Sequence, residues 1–269
     1  MKGRLVITRP SFSYYEQFCA AFGINYDTWE LDENFQYDPA DLDEVPDYSV
    51  IFLTSPNNPT GSVLAPDSLK SLLFRHPKSL FIVDEAYAEF TAQAMLPLLN
   101  EHDNVILLRT FSKSWSAPSI RCGALIAPEP LARALAHLQT PWQLSAFTID
   151  AAKVMIDYLQ RTNWVNERVD SLISEREKLF KDCSRLAGAA FTVYPSQANF
   201  LLLKATSLEA HVAILKACTE HSVLVGDMHN LPRLAHCIRV TIGTPEENRL
   251  FLAAFKKTTQ KLALRTLPR

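Results

Sequence analysis

Lys113 closes the run Leu107-Leu108-Arg109-Thr110-Phe111-Ser112-Lys113, and Arg121 follows eight residues later. Hydroxyls and cations gathered just past an apolar run suit a phosphate. Thr110 and Ser112 can donate hydrogen bonds, Arg121 can grip phosphate oxygens in bidentate fashion, and Lys113 is left as an amine that becomes nucleophilic if desolvated. Taken singly, each is more often an ordinary surface group. A second cluster is Phe81-Ile82-Val83-Asp84-Glu85-Ala86-Tyr87, which puts a carboxylate at the end of an apolar run. Burying Asp84 is costly without a cationic partner, although a lone aspartate there is more often a helix cap. A third, Ser55-Pro56-Asn57-Asn58-Pro59-Thr60-Gly61, must turn sharply. Turn chemistry alone would explain it, but strand ends are also where open α/β sheets bind ligands.

These clusters need elements to hold them. Short apolar runs at Arg4 to Thr8, Tyr26 to Leu31, Val50 to Thr54, Leu80 to Asp84, Val105 to Thr110 and Cys122 to Ala127 alternate with amphipathic stretches at Ser13 to Phe22 and Pro66 to Phe74. That alternation predicts strand and helix units feeding a mostly parallel sheet, with the three clusters at successive strand ends on one edge. From Ser145 to Leu186 a long helical periodicity carries Arg168, Glu175, Arg176 and Glu177 outward, as a linking helix would. The remainder predicts a smaller α+β unit. Its strands fall at Phe191 to Val193, Asn199 to Leu203, Val223 to Val225 and Cys237 to Ile242, with helices at Leu208 to Thr219 and from Pro245.

Hydrophobic residues make up 48% of the 269 and charged residues 21%, which is the composition of a folded globular protein. A net charge of −2 with interleaved signs gives no basic stripe for nucleic acid. No stretch approaches the ~20 apolar residues that cross a bilayer, and MKGRLVITRP lacks the apolar run of a secretion signal. The expected setting is therefore cytoplasmic, away from membranes. Cys19, Cys122, Cys183, Cys218 and Cys237 have no CxxC pair and read as reduced thiols, mostly buried.

With these residues in hand, the sequence resembles the fold type I pyridoxal-phosphate enzymes, within them the histidinol-phosphate aminotransferase-like group. Asn57-Asn58-Pro59-Thr60-Gly61, Asp84-Glu85-Ala86-Tyr87, Thr110-Phe111-Ser112-Lys113 with Arg121, and Ala198-Asn199-Phe200 with Arg239 stand in the family's order over nearly the whole chain. The resemblance implies a three-layer α/β large domain over residues 1–150, and a linking helix with a small α+β domain over 151–269. It implies pyridoxal 5′-phosphate as cofactor. Lys113 would form the Schiff base, Asp84 would pair with the pyridine nitrogen, and Asn58 and Tyr87 would hydrogen-bond the ring hydroxyl. Thr110, Ser112 and Arg121 would face the phosphate. Phe12 in Arg9-Pro10-Ser11-Phe12 looks like the aromatic residue against the ring, though a core phenylalanine is as ready an explanation. Arg239 would clamp a substrate carboxylate or phosphate with help from Asn199. No metal is implied.

The implied reaction moves an amino group between an amino acid or amino-alcohol phosphate and a 2-oxo acid, in a homodimer. Ala117-Pro118 and Pro141-Trp142 also echo the related threonine-phosphate decarboxylases. The family's chains begin well before the residue matching Met1, with an arm, a tyrosine reaching the partner subunit's site and a glycine-containing phosphate turn. Either the true start lies further upstream, or the large domain is N-terminally shortened with its phosphate site partly dismantled, and a non-catalytic remnant is the third reading. Ser119 stands where relatives usually carry glycine, so the backbone before Arg121 is expected to differ.

Overall fold

The computed structural model describes residues 3–93, 95–140 and 142–265. Six strands form the larger sheet: β1 (Leu5–Arg9), β2 (Asp27–Glu30), β3 (Val50–Thr54), β4 (Leu80–Asp84), β5 (Val105–Thr110) and β6 (Gly123–Ile126), in the order β2-β1-β3-β4-β5-β6. All neighbours run parallel except β5 and β6. Register explains the site. Thr54 stands opposite Asp84, and Asp84 opposite Leu108, so the chain leaves β3, β4 and β5 on one sheet edge.

Two helices, α1 (Tyr14–Phe22) and α2 (Pro66–Arg75), serve this sheet. Gly23 ends α1 in the left-handed conformation that a C-terminal glycine adopts without strain. Proline in the first turn of α2 costs no hydrogen bond, and its apolar face, Leu69, Leu72 and Leu73, is buried with Ile51, Leu53, Phe81, Val83 and Val105. Each such leucine contributes roughly 1.5–3 kcal/mol relative to exposure.

After α3 (Glu129–Ala136), the periodicity expected as one linking helix is two, α4 (Ala146–Arg161) and α5 (Trp164–Leu186). Thr162 is extended at φ −134 and ψ 158, and a β-branched residue in that conformation breaks the ladder. Beyond lies the smaller unit, an antiparallel sheet ordered β7-β8-β10-β9, from β7 (Phe191–Tyr194), β8 (Phe200–Ala205), β9 (Gly226–Asp227) and β10 (Cys237–Thr241). Helices α6 (Leu208–Glu220) and α7 (Pro245–Arg265) cover it, and Ile214, Phe251 and Phe255 pack with Leu201, Leu203 and Val240. The strand expected at Val223 to Val225 is absent. Leu224 is 99% exposed there, and pairing begins only at Gly226.

A further apolar cluster joins α5 to the site, with Val165 and Val169 against Tyr87, Phe90, Ala198 and Phe200. Arg176 of α5, expected on the outer face, is instead buried, because its guanidinium donates to the carbonyls of Phe90 and Ala198 at 3.1 and 3.0 Å across this seam. All five cysteines are free thiols, Cys122 half-buried and the rest buried. Among the described residues no helix is long and apolar enough to cross a membrane.

Candidate active site

The three strand ends open onto a cleft lined by Phe12, Tyr15, Thr54, Asn58, Asp84, Ala86, Tyr87 and Lys113. Asp84 is the last residue of β4 and remains half-buried. Its Oδ1 accepts the backbone N–H of Ala86 at 2.9 Å, and its Oδ2 accepts the phenol of Tyr15. Lys113 lies in the turn after β5, with Nζ 5.3 Å from the centre of the Tyr87 ring. Tyr87 is itself fixed edge-on against Phe200 at 5.2 Å.

Asn58 is carried by a loop that is tightly tied from within. Asn57 Nδ2 donates to Pro10 O and Thr60 Oγ1, while Ser11 Oγ donates to Asn57 Oδ1 at 2.7 Å. Gly61 closes the loop at φ +76, where its N–H bonds Asn57 O and its carbonyl accepts Gln197 N–H, both at 2.8 Å. A Cβ there would lie 2.2 Å from Ser196 Oγ. Only glycine allows both the conformation and the approach. The larger unit's loop is thereby fastened to the segment that leads into Ala198-Asn199-Phe200.

Arg239 completes the site from β10. Its Nη1 donates to Asn58 Oδ1 at 2.5 Å, its guanidinium lies 5.3 Å from the centre of the Phe200 ring, and its buried Nε has no partner among the described residues. A donor left buried and unpaired is costly. Asn199 is half-buried, its carbonyl accepting Ile242 N–H at 2.9 Å.

Phe12, Asn58, Asp84, Tyr87 and Lys113 are thus brought to one cleft, and Arg239 reaches them through Asn58. Thr110, Ser112 and Arg121 are not among its lining residues. Thr110 Oγ1 donates to Ser112 Oγ at 3.0 Å and accepts Ser112 N–H at 3.1 Å, while exposed Arg121 turns Nη1 back to Pro118 O at 3.0 Å. Ser119 lies in a short 3-10 turn that ends on Arg121 at φ 51. Phe12 is no core residue, being 46% exposed and edge-on to Tyr15 at 5.6 Å. Pro141 lies outside the described residues, and Trp142 beside it is exposed.

Tyr15, which also lines the cleft, was not among the residues expected there. The signal available was its place three residues after Phe12, where the chain turns into α1 and the Tyr15 N–H bonds Phe12 O at 3.1 Å. Beside the cleft, Glu85 is buried against Arg109, whose Nε donates to Glu85 Oε2 at 2.7 Å and whose Nη1 meets Glu89 at 3.2 Å. Burial outweighs that pairing and pushes the Glu85 carboxyl up to about 7. Burial, with the neighbouring Asp84 carboxylate, also raises the Tyr15 phenol, which therefore stays a donor.

Chemically, the cleft offers an amine, a fixed carboxylate, an amide, two phenols and aromatic walls, with the Arg239 guanidinium bonded to its Asn58 side chain. A family model described as aminotransferase class I and II matches residues 2–255. The histidinol-phosphate aminotransferase of Ruminiclostridium cellulolyticum is 32% identical over 254 residues, covering 93% of this chain and 69% of the relative. The solved histidinol-phosphate aminotransferase of Clostridium acetobutylicum superposes with a TM-score of 0.85 at 22% identity, over 96% of this chain and 78% of its own. L-threonine-O-3-phosphate decarboxylase of Porphyromonas gingivalis gives 0.78 at 25% identity, over 96% and 78%.

Proposed function

Since the chain belongs to the class I and II aminotransferase family, we propose that it transfers an amino group between an amino acid or a histidinol-phosphate-like amino-alcohol phosphate and a 2-oxo acid. Its cofactor is pyridoxal 5′-phosphate, which when bound supplies an aldehyde that condenses with amines and a ring that takes up the electron pair left at a substrate carbon. The observation that carries the proposal is that Asp84, the last residue of β4, and Lys113, in the turn after the adjacent parallel β5, line one cleft.

The side chains fit this cofactor in type. Lys113 would hold the cofactor through its aldehyde carbon and, once the incoming substrate amine has taken its place there, its freed Nζ would take up and return the proton at the substrate Cα. Asp84 keeps the proton on the pyridine nitrogen, and Asn58 and Tyr87 hydrogen-bond the ring hydroxyl. Phe12 would pack on the ring, a contact worth ~1 kcal/mol beyond burial. Thr110, Ser112 and Arg121 face the phosphate, which requires Arg121 to leave the Pro118 carbonyl. The Arg239 guanidinium would receive the substrate's carboxylate or phosphate, with help from Asn199. We further propose a homodimer, tested by light scattering after size exclusion, where a monomer alone would remove that part.

The test is a panel of amino donors added to the protein with pyridoxal phosphate, followed by the cofactor's absorbance. Spectral change with histidinol phosphate or an amino acid, reversed by a 2-oxo acid, is the expected result; a silent panel counts against the proposal. The likeness to a threonine-phosphate decarboxylase favours one second reading. Carbon dioxide released from O-phosphothreonine without a 2-oxo acid would select it.

A further inference from the structure

Tyr15 has no role in the proposed chemistry, yet it is the side chain that restrains Asp84. It stands in the first turn of α1, packed on Phe52 at 4.6 Å and on Phe12, and its phenol donates to Asp84 Oδ2. The other carboxylate oxygen takes the Ala86 N–H, so both oxygens have a fixed donor and neither can swing. Behind Tyr15 stands more of the same framework. Thr54 Oγ1 is 3.4 Å from the phenol oxygen and 3.1 Å from Ser11 Oγ, and Tyr37 Oη donates to the Thr54 carbonyl at 2.5 Å. Ser11 leads on to Asn57, neighbour of Asn58.

We infer that Tyr15 is a positioning residue for the cofactor, acting through Asp84: its phenol holds the carboxylate so that the remaining lone pairs face the ring nitrogen. A carboxylate accepts about four hydrogen bonds, so two internal donors leave room for that third. Holding an acceptor in place before its partner arrives removes an ordering cost from binding. This inference rests on the pyridoxal-phosphate reading.

The test measures the dissociation constant of pyridoxal phosphate for apoprotein carrying Tyr15→Phe, Asp84→Asn, both, or neither. Tyr15→Phe removes one oxygen and keeps the ring packing. In the wild-type background it should raise the constant about tenfold, as expected for a lost hydrogen bond to a charged group. In the Asp84→Asn background it should raise it less than about twofold, because coupled residues are not additive. An analogue with carbon in place of the ring nitrogen gives an independent arm, and Tyr15→Phe should leave its affinity unchanged. Equal loss in both backgrounds, equal loss with the analogue, or no loss in the wild-type background overturns the inference. Failure of the wild-type protein to take up the cofactor removes the functional reading itself, and the inference with it.

Discussion

Arg239 of the smaller sheet donates through Nη1 to Asn58 Oδ1 of the larger unit at 2.5 Å, across 181 positions of sequence. One nitrogen of the guanidinium is thereby spent on orientation, while the buried Nε stays unpaired. Arg239→Lys keeps the charge and loses the fork, so the Michaelis constant for the phosphate- or carboxylate-bearing substrate should rise about 10–100-fold with a smaller change in kcat. Steady-state kinetics read this directly. A fall in kcat alone would place Arg239 elsewhere.

Gly61 should resist substitution more than any surface turn. Gly61→Ala meets both an unfavourable φ and the Ser196 side chain, so about 1–3 kcal/mol of stability should be lost in urea denaturation. Because the same turn carries Asn58, cofactor affinity should fall as well. A variant as stable as the parent would show that the seam between the units is looser than described.

Glu85 makes stability depend on pH. Its carboxyl titrates higher in the folded chain, about 7, than the ordinary 4.5 of the unfolded one, so the folded state binds more protons between those values. Stability from this group is full below pH 4.5 and is lost as pH rises through 7, by on the order of 1–3 kcal/mol. Glu85→Gln should flatten the slope in that window. An unchanged slope would mean that Arg109 compensates the charge fully.

Much of this was legible beforehand, for physical reasons. The predicted strands Val50 to Thr54, Leu80 to Asp84 and Val105 to Thr110 coincide with β3, β4 and β5, since each is an apolar run buried in the sheet centre and cut off by polar or turn residues. With those ends correct, Asp84 and Lys113 had to share an edge. The less regular parts were harder. Val223 to Val225 is as apolar as a strand, but nothing packs on Leu224. The break at Thr162 is a local backbone choice inside an otherwise continuous periodicity. The Tyr15–Asp84 bond spans 69 positions and Arg239–Asn58 spans 181, and local pattern carries no trace of such pairings. The turn of Arg121 onto Pro118 likewise depends on the left-handed backbone after Ser119.

The most direct test is to incubate the protein with pyridoxal phosphate, reduce with borohydride and locate the labelled peptide by mass spectrometry. The label should sit on Lys113 and vanish in Lys113→Ala, whose amino-transfer rate should fall at least about 10²–10⁴-fold. A label on another lysine, or none, would contradict the assignment of Lys113.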